Sequence, residues 1–156
     1  MKLTEQLEKV SKPIWDAIFS HPYVQELGRG TLSSEQFLHF IRQDWLYLQD
    51  FARVLCLLAS KADNPNLVKM FAEHAVFAVE VETSTHPKFA ASKGLSAREL
   101  RRTKRGPITQ AYSRHLLAVA HEGTFAELLA AVLPCYWTYF LVGRKLAKSV
   151  PTDRVY

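Results

Sequence analysis

Apolar residues recur at three- and four-residue intervals over most of this chain, and strict alternation of apolar and polar positions is nowhere sustained. That period is the one by which an α-helix buries a face; a half-buried strand needs a period of two. Six glycines and seven prolines in 156 residues are too few for a turn-rich all-β chain. The pattern predicts an all-α bundle of long antiparallel helices with short connections, a single domain over residues 1–156. A hydrophobic content of 48% against 22% charged residues excludes disorder.

Five helices are expected. The first runs from about Thr4 to Phe19, with Leu3, Leu7, Val10, Ile14 and Ile18 as its apolar stripe, kinked or split by Pro13 and ended by His21-Pro22. A turn follows at Gly28-Arg29-Gly30. Thr31 to Lys61 carries the clearest pattern: Phe37, Ile41, Leu48, Phe51, Leu55 and Leu58 paint one face, with Ser33 or Ser34 as a cap. After the break at Asp63-Asn64-Pro65, the third helix presents Leu67, Met70, Phe71, His74, Phe77 and Val81 and fades near His86-Pro87. Lys88 to Arg105 reads as a connection with one helical turn at Ser96 to Arg101. A fourth helix runs from Gly106-Pro107 to Glu122-Gly123. A fifth runs from Thr124 to about Ser149, ended by Pro151, and is apolar nearly all round, so it is expected at the centre.

The two cysteines, Cys56 and Cys135, are too far apart in sequence for a CxxC zinc site and too few for a disulfide framework. Free thiols fit a reducing compartment. The opening MKLTEQLEK is too densely charged for the core of a signal peptide. The longest apolar run, Leu128 to Gly143, contains Pro134 and is short for a bilayer. These features predict a cytoplasmic protein with no membrane partner. The net charge of +5 is modest. Its main cluster, Arg98, Arg101, Arg102, Lys104 and Arg105, lacks aromatic interleaving and any nucleic-acid motif. We read it as a solvated or subunit-contacting loop, with no nucleic-acid partner. Phosphate-loop and dinucleotide motifs do not occur.

Residues of the wrong type on an apolar stripe are the most informative. Asp44 occupies a place in the series 37, 41, 44, 48, 51 where an apolar residue belongs, so it needs partners or a polar cavity. Taken alone, it reads as a structural carboxylate satisfied by a helix terminus or an arginine. Tyr47 shares its face. Cys135 and Tyr139 lie one turn apart on the fifth helix, where Pro134 leaves the carbonyl of Ala130 without its helical donor. Thiol, tyrosine and bend together suggest a cavity wall; Cys135 by itself reads as an inert core residue, and so does Cys56. Tyr112 heads the stripe Tyr112, His115, Leu116, Val119, pointing a hydroxyl into the same cavity or resting in the core. His74 and His115 are expected to be hydrogen-bonded core histidines. Glu82 and His86, like Glu35 and His39, stand four apart, a spacing that suits a metal site or a plain surface pair; no metal site is expected.

Several pieces, in order, resemble the thiaminase II (TenA) family. They are His21-Pro22-Tyr23-Val24, Gly30-Thr31-Leu32 with Phe37, Gln43-Asp44-Trp45-Leu46-Tyr47-Leu48, Pro107, Ala111-Tyr112, His115-Leu116 and Leu133-Pro134-Cys135-Tyr136-Trp137-Thr138-Tyr139. The Gln-Asp segment followed by Pro-Cys-x-Trp-x-Tyr is the most specific part. The resemblance implies a heme-oxygenase-like helical fold, usually a homotetramer, with no cofactor. It implies hydrolysis of pyrimidine compounds in thiamine metabolism: cleavage of thiamine, or deamination of an aminomethylpyrimidine to hydroxymethylpyrimidine. Carried over residue by residue, Asp44 binds a ring nitrogen and the ring amine, Tyr47 lines or stacks on the ring, Cys135 is the nucleophile, and Tyr112 and Tyr139 hydrogen-bond around ring and thiol. The family carries further C-terminal helices, with a tyrosine and a proton-transferring glutamate that match no residue here. The expectation is therefore a C-terminally shortened domain with a bare apolar flank. Two other readings remain at this point: a pyrimidine-binding module without turnover, and a non-haem iron oxygenase of the same fold using Glu82 and His86.

Overall fold

The computed structural model describes residues 1–147. Among these there are eight α-helices, one π-helical turn and no strand. The expected end of the fifth helix at Ser149 and Pro151 lies outside the described residues. Contacts divide the chain into two compact units: Ser34–Leu133, and Met1–Ser33 together with the chain from Pro134 onward.

The Ser34–Leu133 unit is built around α3 (Ser34–Lys61). Its expected stripe is largely inside: Ile41, Phe51, Leu55 and Leu58 are buried, with Phe37 and Leu48 half-buried. Leu46, Tyr47, Val54 and Ala59 are buried as well, because α3 packs against both α4 (Pro65–Glu80) and α7 (Pro107–Glu122). Asn64 caps α4 by accepting from the backbone N–H of Asn66 at 2.8 Å, and Pro65 and Pro107 sit in the first turns of their helices, where a missing N–H is harmless. At the far end, the Lys61 ammonium donates to the carbonyl of Gly123 at 2.7 Å. A side chain at Gly123 would meet the Val119 carbonyl at 2.8 Å, so the turn out of α7 requires glycine.

The third helix does not fade at His86-Pro87 as expected. α4 passes through a π-helical turn, Val81–Thr85, into α5 (His86–Ser92). Pro87 has no N–H for the carbonyl of Thr83 and its ring crowds that carbonyl. Widening the helix relieves this: the N–H of His86 reaches back five residues to the carbonyl of Val81. The expected turn at Ser96 is α6 (Ala97–Arg101), closed by a reciprocal Ser96–Glu99 cap. Ile41, Ala90, Leu95 and Leu100 form a small core where α5 and α6 meet the start of α3.

In the other unit, α1 (Leu3–Ser20) is unbroken through Pro13. Lys9 and Pro13 both face solvent, so water can serve the carbonyl that the proline leaves unpaired. The expected stripe is not its buried face: Leu3, Leu7, Val10 and Ile14 are exposed, and Trp15 is buried instead. Trp15 packs on Trp137 with ring centroids 4.9 Å apart. His21 ends α1 but also starts α2 (Pro22–Arg29), accepting from the N–H of Tyr23 at 3.2 Å; Gly30, at φ 68°, closes α2 in the left-handed region that favours glycine.

The last helix, α8 (Phe125–Leu146), spans the division between the units. It opens with a second reciprocal cap, Thr124 with Glu127. It is not the buried central rod expected: only Leu128 and Val132 are buried, while Leu129, Tyr136, Tyr139 and Phe140 are exposed. At 22 residues it is, by length and composition alone, long and apolar enough to cross a bilayer. Four further residues expected inside are exposed: Cys56 and His115 face solvent, as do Met70 and Phe77 of α4.

Truncating the fully buried Leu58 to alanine is expected to lower unfolding free energy by about 2–5 kcal/mol in denaturant titrations. The caps also carry a pH dependence. Hydrogen bonds from Ser96 hold Glu99 below its ordinary value of 4.5, and hydrogen bonds from Thr124 do the same for Glu127. This contribution is complete above the unfolded value and is lost as pH falls through the folded one. Thermal midpoints measured from about pH 6 to about pH 3 should therefore fall less steeply for the Glu99→Gln, Glu127→Gln double variant, which keeps the caps but cannot titrate there.

Candidate functional site

Asp44 sits on α3 with its side chain only 17% exposed. Its partner is neither a helix terminus nor an arginine. The Asp44 Oδ2 lies 3.2 Å from Nε2 of His86, the first residue of α5, whose side chain is 6% exposed. Five residues along α3, Gln49 donates to Glu82 Oε1 at 3.2 Å. The two contacts share one antiparallel register, set by the turn at Asp63–Pro65 and adjusted by the π-helical turn. Glu82 and His86, paired in sequence as a metal candidate or a surface pair, are thus separately engaged with α3, and His86 is buried. Among the described residues no group of three His, Cys, Asp or Glu side chains converges.

Tyr47, one turn beyond Asp44, is buried, and its ring stacks on two others. The Phe51 ring lies 5.2 Å away at 22°, and the Tyr112 ring of α7 lies 5.5 Å away at 6°. Sequence placed Tyr47 and Tyr112 on inward faces, and the structure brings their rings together. The alignment of α7 on α3 is set by Gln43, the neighbour of Asp44. Its amide donates to the carbonyl of Lys104 at 3.0 Å and accepts from the N–H of Gly106 at 2.8 Å, clamping both sides of the entry to α7. Arg105 reinforces this, contacting Asp50 at 2.7 Å and the buried Ser113 at 3.3 Å. Arg105 is therefore an internal strut rather than part of a solvated loop; Arg98, Arg101, Arg102 and Lys104 are exposed as expected.

Cys135 and Tyr139 belong to the other unit, one turn apart on α8. Cys135 is half-buried and makes no disulfide; Tyr139 is 54% exposed. Beside the thiol, burial pushes the Tyr136 hydroxyl up to about 12, with the charge of Cys135 adding to the effect. Tyr136 therefore stands next to the thiol as a neutral phenol, never a phenolate, at ordinary pH. A cleft in this unit, walled by Glu8, Lys12, Trp15 and Leu141 among others, is lined by none of the predicted site residues.

The chemistry available around Asp44 is specific. A carboxylate largely removed from water and met by one imidazole, with an aromatic stack one turn further along its helix, suits a flat ligand that offers an N–H edge. Sequence reasoning names His86 only beside Glu82, as a metal candidate or surface pair, and misses its contact with Asp44. The available signal was register: counted back from the Asp63–Pro65 turn, residues 82–86 come opposite Asp44 within about one helical turn, and His86 is the nitrogen donor there.

With this geometry in place, comparison with known proteins is informative. The TENA/THI-4/PQQC family model matches residues 8–156. The chain is 37% identical over 97% of its length to an aminopyrimidine aminohydrolase from Halalkalibacterium halodurans, and 36% identical over its full length to one from Bacillus subtilis. It spans about two thirds of those relatives, 67% and 66% respectively. A solved TenA homologue from P. horikoshii superposes with a TM-score of 0.87 at 32% identity, covering 96% of this chain and 70% of that one. The all-α fold is theirs, and the chain belongs to the TENA/THI-4/PQQC family.

Proposed function

We propose that this protein is an aminopyrimidine aminohydrolase of thiamine metabolism, a thiaminase II that releases hydroxymethylpyrimidine by covalent cysteine catalysis. The observation that carries this reading is the similarity, over nearly the whole chain, to relatives named for that activity. The half-buried Asp44 beside the Tyr47–Tyr112 stack supports it.

In this mechanism Asp44 accepts hydrogen bonds from the ring amine and a protonated ring nitrogen of an aminomethylpyrimidine. Tyr47 and Tyr112 bound the ring. The Cys135 thiolate adds to a ring carbon, and the electrons it supplies expel the exocyclic amine, which departs from its protonated ammonium form as neutral ammonia. Water then adds at the methylene, the carbon–sulfur bond breaks, and the thiolate is regenerated. The net change is replacement of an amine by a hydroxyl at the expense of one water. Asp44 matches the positive charge that the ring nitrogen gains as it is protonated, which readies the ring for addition of the thiolate, and Tyr139 hydrogen-bonds near the thiol. Thiamine enters the same sequence with its thiazole as leaving group.

The protein is further read as cytoplasmic, in keeping with its two free thiols, and as a homotetramer without nucleic-acid or membrane partners. Exposed apolar side chains on α1 (Leu3, Val10, Ile14) and α4 (Val76, Phe77) are the surfaces that assembly would cover. Sedimentation should give about four chains per particle; a monomer at all concentrations contradicts that part.

The activity is tested by mass spectrometry of products from aminomethylpyrimidine and from thiamine. Wild type should release hydroxymethylpyrimidine. Cys135→Ser should lower kcat by about a thousandfold or more, as expected for loss of a nucleophile. Asp44→Asn should lower kcat/KM by about 10- to 100-fold, the scale of a hydrogen bond to a charged group. Full turnover by Cys135→Ser rules out nucleophilic catalysis by that thiol.

A further inference from the structure

The geometry points to His86 as a positioning residue that fixes the Asp44 carboxylate for ligands carrying an amine beside a ring nitrogen. This rests on the reading of Asp44 as the pyrimidine-binding group, and it adds a residue that reading does not use.

Three observations carry it. The imidazole Nε2 lies 3.2 Å from Asp44 Oδ2, and both side chains are largely buried. The other ring nitrogen, Nδ1, is buried with no hydrogen-bond partner among the described residues. A hydrogen on Nδ1 would have no acceptor, so the arrangement fits a hydrogen on Nε2, the nitrogen that faces Asp44. The third is the backbone. His86 follows directly on the π-helical turn and donates its own N–H to Val81, while Pro87 restricts the chain just beyond it. Glu82, within that turn, is held to α3 through Gln49. An ordinary α-helical turn in its place would swing His86 about 100° around the axis, away from Asp44.

The consequence is directional. With Oδ2 taken by the imidazole, the carboxylate has one preferred rotation, which leaves Oδ1 for the ligand. A fixed acceptor discriminates in favour of a ligand whose N–H edge matches it; a freely rotating one binds less selectively. His86 thereby acts on specificity through Asp44 without touching the ligand itself.

The test is calorimetric binding to the full chain of two probes: an aminopyrimidine bearing a hydroxymethyl group, and the same compound with hydrogen in place of the ring amine. Wild type should prefer the first. His86→Ala should weaken the first by about 10-fold or more and the second by less than about threefold. His86→Gln, whose amide can donate from a similar place, should recover binding of the first to within about threefold. In an Asp44→Asn background, His86→Ala should add little further loss. Thermal unfolding of each variant, recorded in parallel, identifies any that fails to fold, and His86→Gln keeps the comparison decisive in that case. Equal losses for both probes, or a glutamine variant as weak as the alanine one, overturn the positioning role while leaving Asp44 as the binding group. Wild type with no preference for the ring amine overturns the Asp44 reading, and this inference with it.

Discussion

A carboxylate in the inward stripe of the longest helix is the constraint to which the Ser34–Leu133 unit answers. Left without a partner, Asp44 would cost several kcal/mol on the general scale of buried charges, roughly 3–5. The chain meets that demand from the next helix in sequence, and reaching it requires a departure from α-helical geometry. Pro87 forbids the ordinary hydrogen bond, the backbone widens over Val81–Thr85, and the shift in phase delivers His86 to Asp44 and Glu82 to Gln49. Stability, local backbone distortion and candidate chemistry are thus one arrangement rather than three.

The second support is the clamp at the entry to α7. Gln43 uses both ends of its amide on the backbone flanking Arg105, and Arg105 spans Asp50 and Ser113. Gln43, adjacent to Asp44, thereby sets the register of α7 together with Arg105 and brings Tyr112 onto Tyr47. Neither contact is predictable from residue spacing, since both depend on which loop comes back to which turn of α3.

The helices themselves were legible because burial writes a 3.6-residue period into the sequence. The period gives the apolar face of a helix, but it carries no information on what covers that face. The stripe Leu3, Leu7, Val10, Ile14 is apolar and exposed, and α8 is apolar all round yet buried at only two positions. Cys56 and His115 stand outside for the same reason: apolar neighbours in sequence do not fix the side on which a residue stands. At the site, Asp44 and the tyrosines stood out because each interrupts or decorates a stripe. His86 did not, because a histidine before a proline looks like the end of a helix, and the π-helical turn that makes it internal leaves no periodic trace.

On the proposed function, the pyrimidine that Asp44 binds is the substrate of the Cys135 thiol, and the two cysteines allow this proposal to be tested within a single sample. Alkylation by iodoacetamide is followed at Cys135 and at the exposed Cys56 by peptide mass spectrometry, with and without hydroxymethylpyrimidine. The ligand should then slow modification of Cys135 by about tenfold or more, as a bound molecule that excludes reagent must. Cys56 should be unaffected, and Asp44→Asn should abolish the protection. Modification of Cys135 at an unchanged rate under saturating ligand would contradict the account.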